Sequence, residues 1–183
     1  MNPVPERAPV VIRSLTPADA AAFAALRREA LRNAPWAFAA GEESDVGVNA
    51  SIMAERLLEP GQAIVGAYRD GVLVGVAGLV RNRHAKMSHR ANVWGVYVTP
   101  TARGRGVAEA MMRGVLDVAR GWPGVTSVGL QVSARAEGAR RLYERLGFKQ
   151  WGVEPGALMW EGETIDEAHM VLWLNGCVLE RLI

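Results

Sequence analysis

Apolar and polar positions alternate along this chain in two distinguishable rhythms. Val10–Ser14 opens with a short extended run. In "TPADAAAFAALRREALRN", Phe23, Leu26, Ala30 and Leu31 recur at helical spacing, so one apolar face is expected. Thr16 suits the cap of that helix, Pro17 its first turn and Asp19 its positive end. "APWAFAAGEESDVGV" breaks the rhythm and reads as a loop. A second helix is expected from Ser51 to Leu58, stopped by Pro60-Gly61. "AIVGAY" and "VLVGVAGLV" flank Arg69-Asp70-Gly71, and Asp-Gly between two apolar runs predicts a hairpin.

"NRHAKMSHR" is a basic, polar loop, and "ANVWGVYV" is an unbroken apolar run of the kind found in the centre of a sheet. Helical spacing returns in Val107, Ala108, Met111, Met112, Val115, Leu116 and Ala119, and "GWPG" stops it. "SVGLQV" predicts a strand with Val128, Leu130 and Val132 on one face. Glu137 to Leu146 predicts a helix ended by Gly147. Phe148–Val153 and His169–Leu174 predict two final strands. The order is mixed α/β (α+β), with hairpins and a strand-helix-strand unit, which excludes a purely parallel sheet.

The chain has 183 residues, half of them hydrophobic and 22% charged, which suits one globular domain with a real core. The division expected is a lead-in over residues 1–9 and one domain over 10–183. No apolar run reaches the ~20 residues of a membrane span, and the N-terminus has no apolar signal core. A cytoplasmic protein with no membrane partner is therefore expected. The single cysteine, Cys177, excludes an intrachain disulfide, and no Cys/His cluster has metal-ligand spacing. A net charge of +2 argues against a nucleic-acid partner. Arg135, Arg140, Arg141 and Arg145 keep that class in view.

The chemistry is concentrated in "VYVTPTARGRGVAEAMM", where an apolar strand, a basic glycine turn and a helix follow one another. Such a turn exposes unpaired amides at the positive end of a helix dipole, and together these can hold a phosphate. Arg103 and Arg105 can add charged contacts. The plainer reading is a tight turn with solvated arginines, and the turn alone leaves the two equally weighted. A P-loop would need Lys and Ser/Thr where Val107 and Ala108 stand, and the third glycine of a dinucleotide fingerprint is Glu109.

Arg103-x-x-Gly106-x-Ala108 after a strand resembles the GNAT superfamily of acetyl-CoA-dependent N-acetyltransferases. "LQVSARAEGARRLYERLGF" is similar to a second signature of that superfamily, matching at Leu130, Val132, Ala139, Leu142, Tyr143, Gly147 and Phe148. Ala136 stands where the family usually has Asn.

The resemblance implies a mostly antiparallel twisted sheet with a central splayed strand pair and flanking helices. It implies acetyl-CoA as cosubstrate without a metal, and direct attack by an amine. The cofactor pyrophosphate would lie on Arg103, Gly104, Arg105, Gly106, Val107 and Ala108. The pantetheine arm would lie along Val96, Tyr97 and Val98 and near Ala136, and the carbonyl oxygen would meet an amide near Val96. Tyr143 would act on the departing thiolate, although its helical spacing also suits packing.

A base is expected, because an amine is mostly protonated at neutral pH. The central strand carries no Glu. Glu42, Glu43, His84, His89, Asp166, Glu167 and His169 are the candidates. Trp36 and Phe38, with Glu42, Glu43 and His169, would shape the acceptor side, where aromatic rings and carboxylates suit a cationic amine. Small-molecule amines come first as acceptors. Protein N-termini or lysines, or a non-catalytic CoA-binding module, are the alternatives. The apolar segment "MVLWLNGCVLERLI" would supply a homodimer contact.

Overall fold

A computed structural model of the chain describes residues 9–174. Its centre is a seven-stranded sheet: β1 (Val11–Ser14), β2 (Gln62–Arg69), β3 (Val72–Arg81), β4 (Arg90–Val98), β5 (Ser127–Ser133), β6 (Lys149–Trp160) and β7 (Glu163–Trp173). The spatial order is β1-β2-β3-β4-β5-β7-β6. Every neighbouring pair is antiparallel except β4 and β5. This is the mixed, mostly antiparallel architecture that the resemblance implies.

Helices cover both faces. One apolar cluster joins α1 (Ala20–Asn33) and α2 (Ala50–Arg56) to the sheet through Phe23, Leu26, Met53, Ile64, Val76 and Tyr97. The other joins α3 (Val107–Gly121) and α4 (Glu137–Arg145) to the opposite face through Met111, Met112, Val115, Leu142, Phe148 and Met170. Met111, Met112 and Val115 are fully enclosed. Burying side chains of that size contributes about 1.5–3 kcal/mol each and fixes the start of α3 against the sheet.

Thr16, Pro17 and Asp19 take the cap, first-turn and positive-end places expected of them, with one difference. A 3-10 turn over Pro17–Asp19 precedes α1. The capping runs from Asp19 back to Thr16: the Asp19 carboxylate accepts from the Thr16 amide (2.8 Å) and hydroxyl (3.0 Å). Asp19 also accepts from Arg13 at 2.7 and 2.8 Å and from the Tyr68 hydroxyl at 2.8 Å.

The last two strands are longer than their expected limits. They form one hairpin that turns at Glu161 and Gly162, with φ of +50° and +81°. Glu154-Pro155-Gly156 reads as a break in sequence, but the ladder absorbs it as a bulge between Glu154 and Leu158. An edge strand tolerates a proline there because its outer amides need no partner.

Two features of β4 open the sheet. It pairs with β5 only at Arg90–Asn92 against Ser127–Gly129, and beyond these positions the strands part. Val76 pairs with Tyr97 and Gly78 with Trp94, so Gly95 and Val96 together face Ala77 in a bulge. Gly95 has φ of +62°, a conformation that a residue with a side chain rarely adopts.

Candidate active site

The parted strands hold a cavity of about 110 Å³ between Val93–Val96 of β4 and Leu130–Ser133 of β5, closed by Phe38 and Tyr143. A larger cleft of about 980 Å³ leads away from it. That cleft runs past Asn33–Phe38, along Val96–Val98, over the turn from Arg103 to Glu109, and on to Ala136–Arg145. Phe38, Val96, Ala136, Ala139 and Tyr143 line both.

The turn is built to receive an anion. Gly104 and Gly106 both have φ of +73°, and a Cβ on either would point into open space. The amides from Gly104 through Glu109 have no hydrogen-bond acceptor among the described residues. The first amide of this helix to find one is that of Ala110, which bonds to Gly106 at 2.9 Å. A row of free donors at the start of a fifteen-residue helix is a phosphate cradle in charge and shape. α4 presents a second uncapped start to the same cleft, since Ala136 has no side chain that can cap it. The residues present fit a long anionic cofactor with a phosphate group at the turn.

Arg103 and Arg105 behave differently. Arg103 lines the cleft, and its Nε donates to the Val98 carbonyl at 2.9 Å. Its guanidinium lies 5.5 Å from the centre of the Tyr97 ring. It therefore ties the turn to the end of β4. The Arg105 side chain is exposed and is not among those lining the cleft.

Tyr143 is 5% exposed and meets Phe148 edge-on at 5.9 Å. Burial pushes its phenol well above the ordinary tyrosine value. A tyrosine is protonated at neutral pH in any case, and burial makes this one hold its proton more tightly.

The acceptor candidates divide. Trp36 and Phe38 line the cleft. Glu42 and Glu43 do not; Glu42 pairs on the surface with Arg32 at 2.5 Å. His169 bonds to Glu154 at 3.0 Å with its ring against Trp151, also outside the cleft. His84 and His89 stand just before β4, at the end where it is still paired with β5 and away from the opening. The Asp166 carboxylate accepts from the Gly156 amide at 2.8 Å. Glu167 is half-buried and pairs across the strands with Ser133, which lines the inner cavity. Burial raises its carboxyl above the usual range, with Glu154 adding to the rise and His169 opposing it.

Three of the four arginines named for nucleic acid are held in surface pairs. Arg135 bonds to Glu163, Arg141 to Glu137 at 3.1 Å, and Arg140 to Glu144 at 3.7 Å. Arg135 and Arg145 line the cleft. Cys177 and the end of the proposed dimer segment lie outside the described residues.

Three features lie beyond the candidates named from sequence. One is the bulge at Gly95; a lone glycine inside an apolar strand run was its signal. Another is the Tyr97 hydroxyl, which accepts from Asn33 at 2.8 Å and donates to Glu29 at 2.9 Å. The last is Arg27, buried in α1 and paired with Asp45 at 2.7 Å.

The profile of the acetyltransferase (GNAT) family matches residues 24–148, which include β4, the turn, α3 and α4. The chain belongs to that family. An uncharacterised N-acetyltransferase of Mycobacterium tuberculosis is 36% identical over 107 residues. The match covers 57% of this chain and 64% of that protein. The N-alpha-acetyltransferase RimI of the same organism is 34% identical over 147 residues, 79% of this chain and 82% of its own length. Among solved structures, the acetyltransferase yncA of Salmonella typhimurium, determined with acetyl-CoA, superposes with a TM-score of 0.79. It is 22% identical, with 92% of this chain and 95% of that one covered. That likeness is one of fold.

Proposed function

We propose that this protein transfers the acetyl group of acetyl-CoA directly to a primary amine of a small molecule. The observation that carries the proposal is the row of free amides from Gly104 to Glu109, set at one end of a cleft whose other end is the parted pair β4 and β5. The turn binds the pyrophosphate. Val96–Val98 offers strand edges to the amide-rich pantetheine arm, which adds to β4 as an extra strand would. The thioester then lies between the bulge at Gly95–Val96 and Tyr143. This placement is supported by cavities that share Val96 and Tyr143.

The amine nitrogen attacks the carbonyl carbon, the carbon–sulfur bond breaks, and a carbon–nitrogen bond forms. A bulge amide holds the oxygen as its charge grows. Tyr143 gives its proton to the departing thiolate. Glu167 lines neither cavity but pairs across the strands with Ser133 of the inner one, and burial raises its pKa; through water, it takes the proton that the amine loses. Trp36 and Phe38 face the incoming amine.

A protein N-terminus is the second reading, favoured by the similarity to an N-alpha-acetyltransferase. The test is CoA release with acetyl-CoA and a panel of polyamines, aminoglycosides, amino acids and peptides. Release with the small amines supports the first reading, and release confined to peptides supports the second. Tight acetyl-CoA binding with no release on any of them contradicts transfer and favours a CoA-binding module.

A further inference from the structure

The Arg27 side chain is 7% exposed and that of Asp45 10% exposed. Arg27 Nε (3.1 Å) and Nη2 (2.7 Å) both donate to one oxygen, Asp45 Oδ2. The other oxygen, Oδ1, accepts from the Gly47 amide at 2.7 Å. The carboxylate thus occupies a single edge of the guanidinium. Nη1, on the far side, is shut from solvent and has no hydrogen-bond partner among the described residues. Leaving an N–H of a buried cation unpaired is costly, so its direction calls for an explanation.

That direction is toward the bulge of β4. A Cβ built on Gly95 would stand 3.5 Å from Arg27 Nη1. Phe38 covers the guanidinium face at 4.4 Å and separates it from the cleft. The pair is neutral as a whole, but its negative end is at Asp45 and its positive end is at Gly95. In a dry interior such a dipole acts on its neighbours far more strongly than it would in water.

We propose that Arg27 is a positioning residue for acetyl transfer, aiming the positive end of the Arg27–Asp45 ion pair at the β4 bulge where the carbonyl oxygen gathers charge. The inference rests on the reading that a bulge amide receives that oxygen. Arg27 touches neither cosubstrate. It acts through the backbone at Gly95 and Val96, strengthening their pull on the oxygen without reorganisation during the reaction.

The test is isotope-edited infrared spectroscopy of acetyl-CoA labelled with carbon-13 at the carbonyl and bound to the protein. The variant is Arg27→Met with Asp45→Asn. It removes both charges together, avoids an unpaired buried carboxylate and keeps an oxygen for the Gly47 amide. In the wild type the carbonyl band is expected below its position in free acetyl-CoA. In the double variant it is expected to move back toward the free position. Turnover should fall about tenfold, with acetyl-CoA affinity unchanged. A tether that merely held the loop would lower activity without moving the band. The same band in wild type and variant overturns the inference and leaves the bulge reading standing. A wild-type band already at the free position overturns both. Should the double variant fail to fold, Arg27→Lys carries the test. Its ammonium keeps the pair with Asp45 but leaves the place of Nη1 empty, so the band must still move; an unmoved band overturns the inference.

Discussion

Arg103 and Tyr97 meet where β4 ends, the guanidinium 5.5 Å from the ring centre while Nε holds the Val98 carbonyl. Tyr97 in turn is bonded to Asn33 and Glu29 on α1. The glycine turn is thus tied to the strand and, through it, to the start of the loop that carries Trp36 and Phe38. Arg103→Ala removes a charged hydrogen bond of the kind that contributes about 1.5–3 kcal/mol. The dissociation constant for acetyl-CoA, measured by calorimetry, is expected to rise at least tenfold.

Tyr143→Phe keeps the ring that packs on Phe148 and removes only the hydroxyl. Turnover is expected to fall about a hundredfold, the scale of a lost general acid. Acetyl-CoA affinity should be unchanged. Equal losses in turnover and affinity would mean that the residue serves packing alone.

Glu167 must be ionised to accept a proton, and its pKa is raised. Turnover in the wild type should therefore fall on the acid side, as pH drops through that raised value. Glu167→Gln is expected to lose the limb at that value and to keep a low rate that rises only as the amine itself deprotonates. A limb that persists in the variant would assign the base elsewhere.

The Arg13 guanidinium holds the Asp19 carboxyl well below the usual carboxylate range, with Thr16 and Tyr68 adding to the effect against the cost of burial. A depressed pKa contributes stability that is present above the unfolded value, about 3.9, and is lost as pH falls through the folded one. Asp19→Asn should cost about 1–3 kcal/mol at neutral pH. The gap from wild type should close in increasingly acid solution, as read by denaturant unfolding across that range.

The sequence was most legible where one physical pattern acts alone. The strand, turn and helix around Gly106 could be read because glycine conformation, helix dipole and apolar spacing all agree there. The apolar runs of β2, β3 and β4 were equally plain. The β6–β7 hairpin was clipped because Pro155 and Gly156 look like a stop, and only the edge position of β6 makes them harmless. Glu42 and His169 are site candidates in the sequence because the family it resembles shapes its acceptor side with the first loop and the last hairpin. Which way each side chain turns depends on Arg32 and Glu154, and local pattern does not carry that information. Arg27 did leave a trace. It sits four residues after Phe23 on the apolar face of α1, where a charge demands a buried partner. The partner, Asp45, lies across a loop whose course no periodicity describes.

The central claim is that the turn from Arg103 to Ala108 binds the pyrophosphate of acetyl-CoA. Calorimetric titration of acetyl-CoA into the wild type and Gly106→Val tests it most directly. Valine puts a branched side chain into the cradle at a φ of +73°, in a place where a Cβ meets nothing else in the protein. The account predicts saturable binding by the wild type and none by a folded Gly106→Val. Equal affinity in the two, or no binding by the wild type, would contradict it.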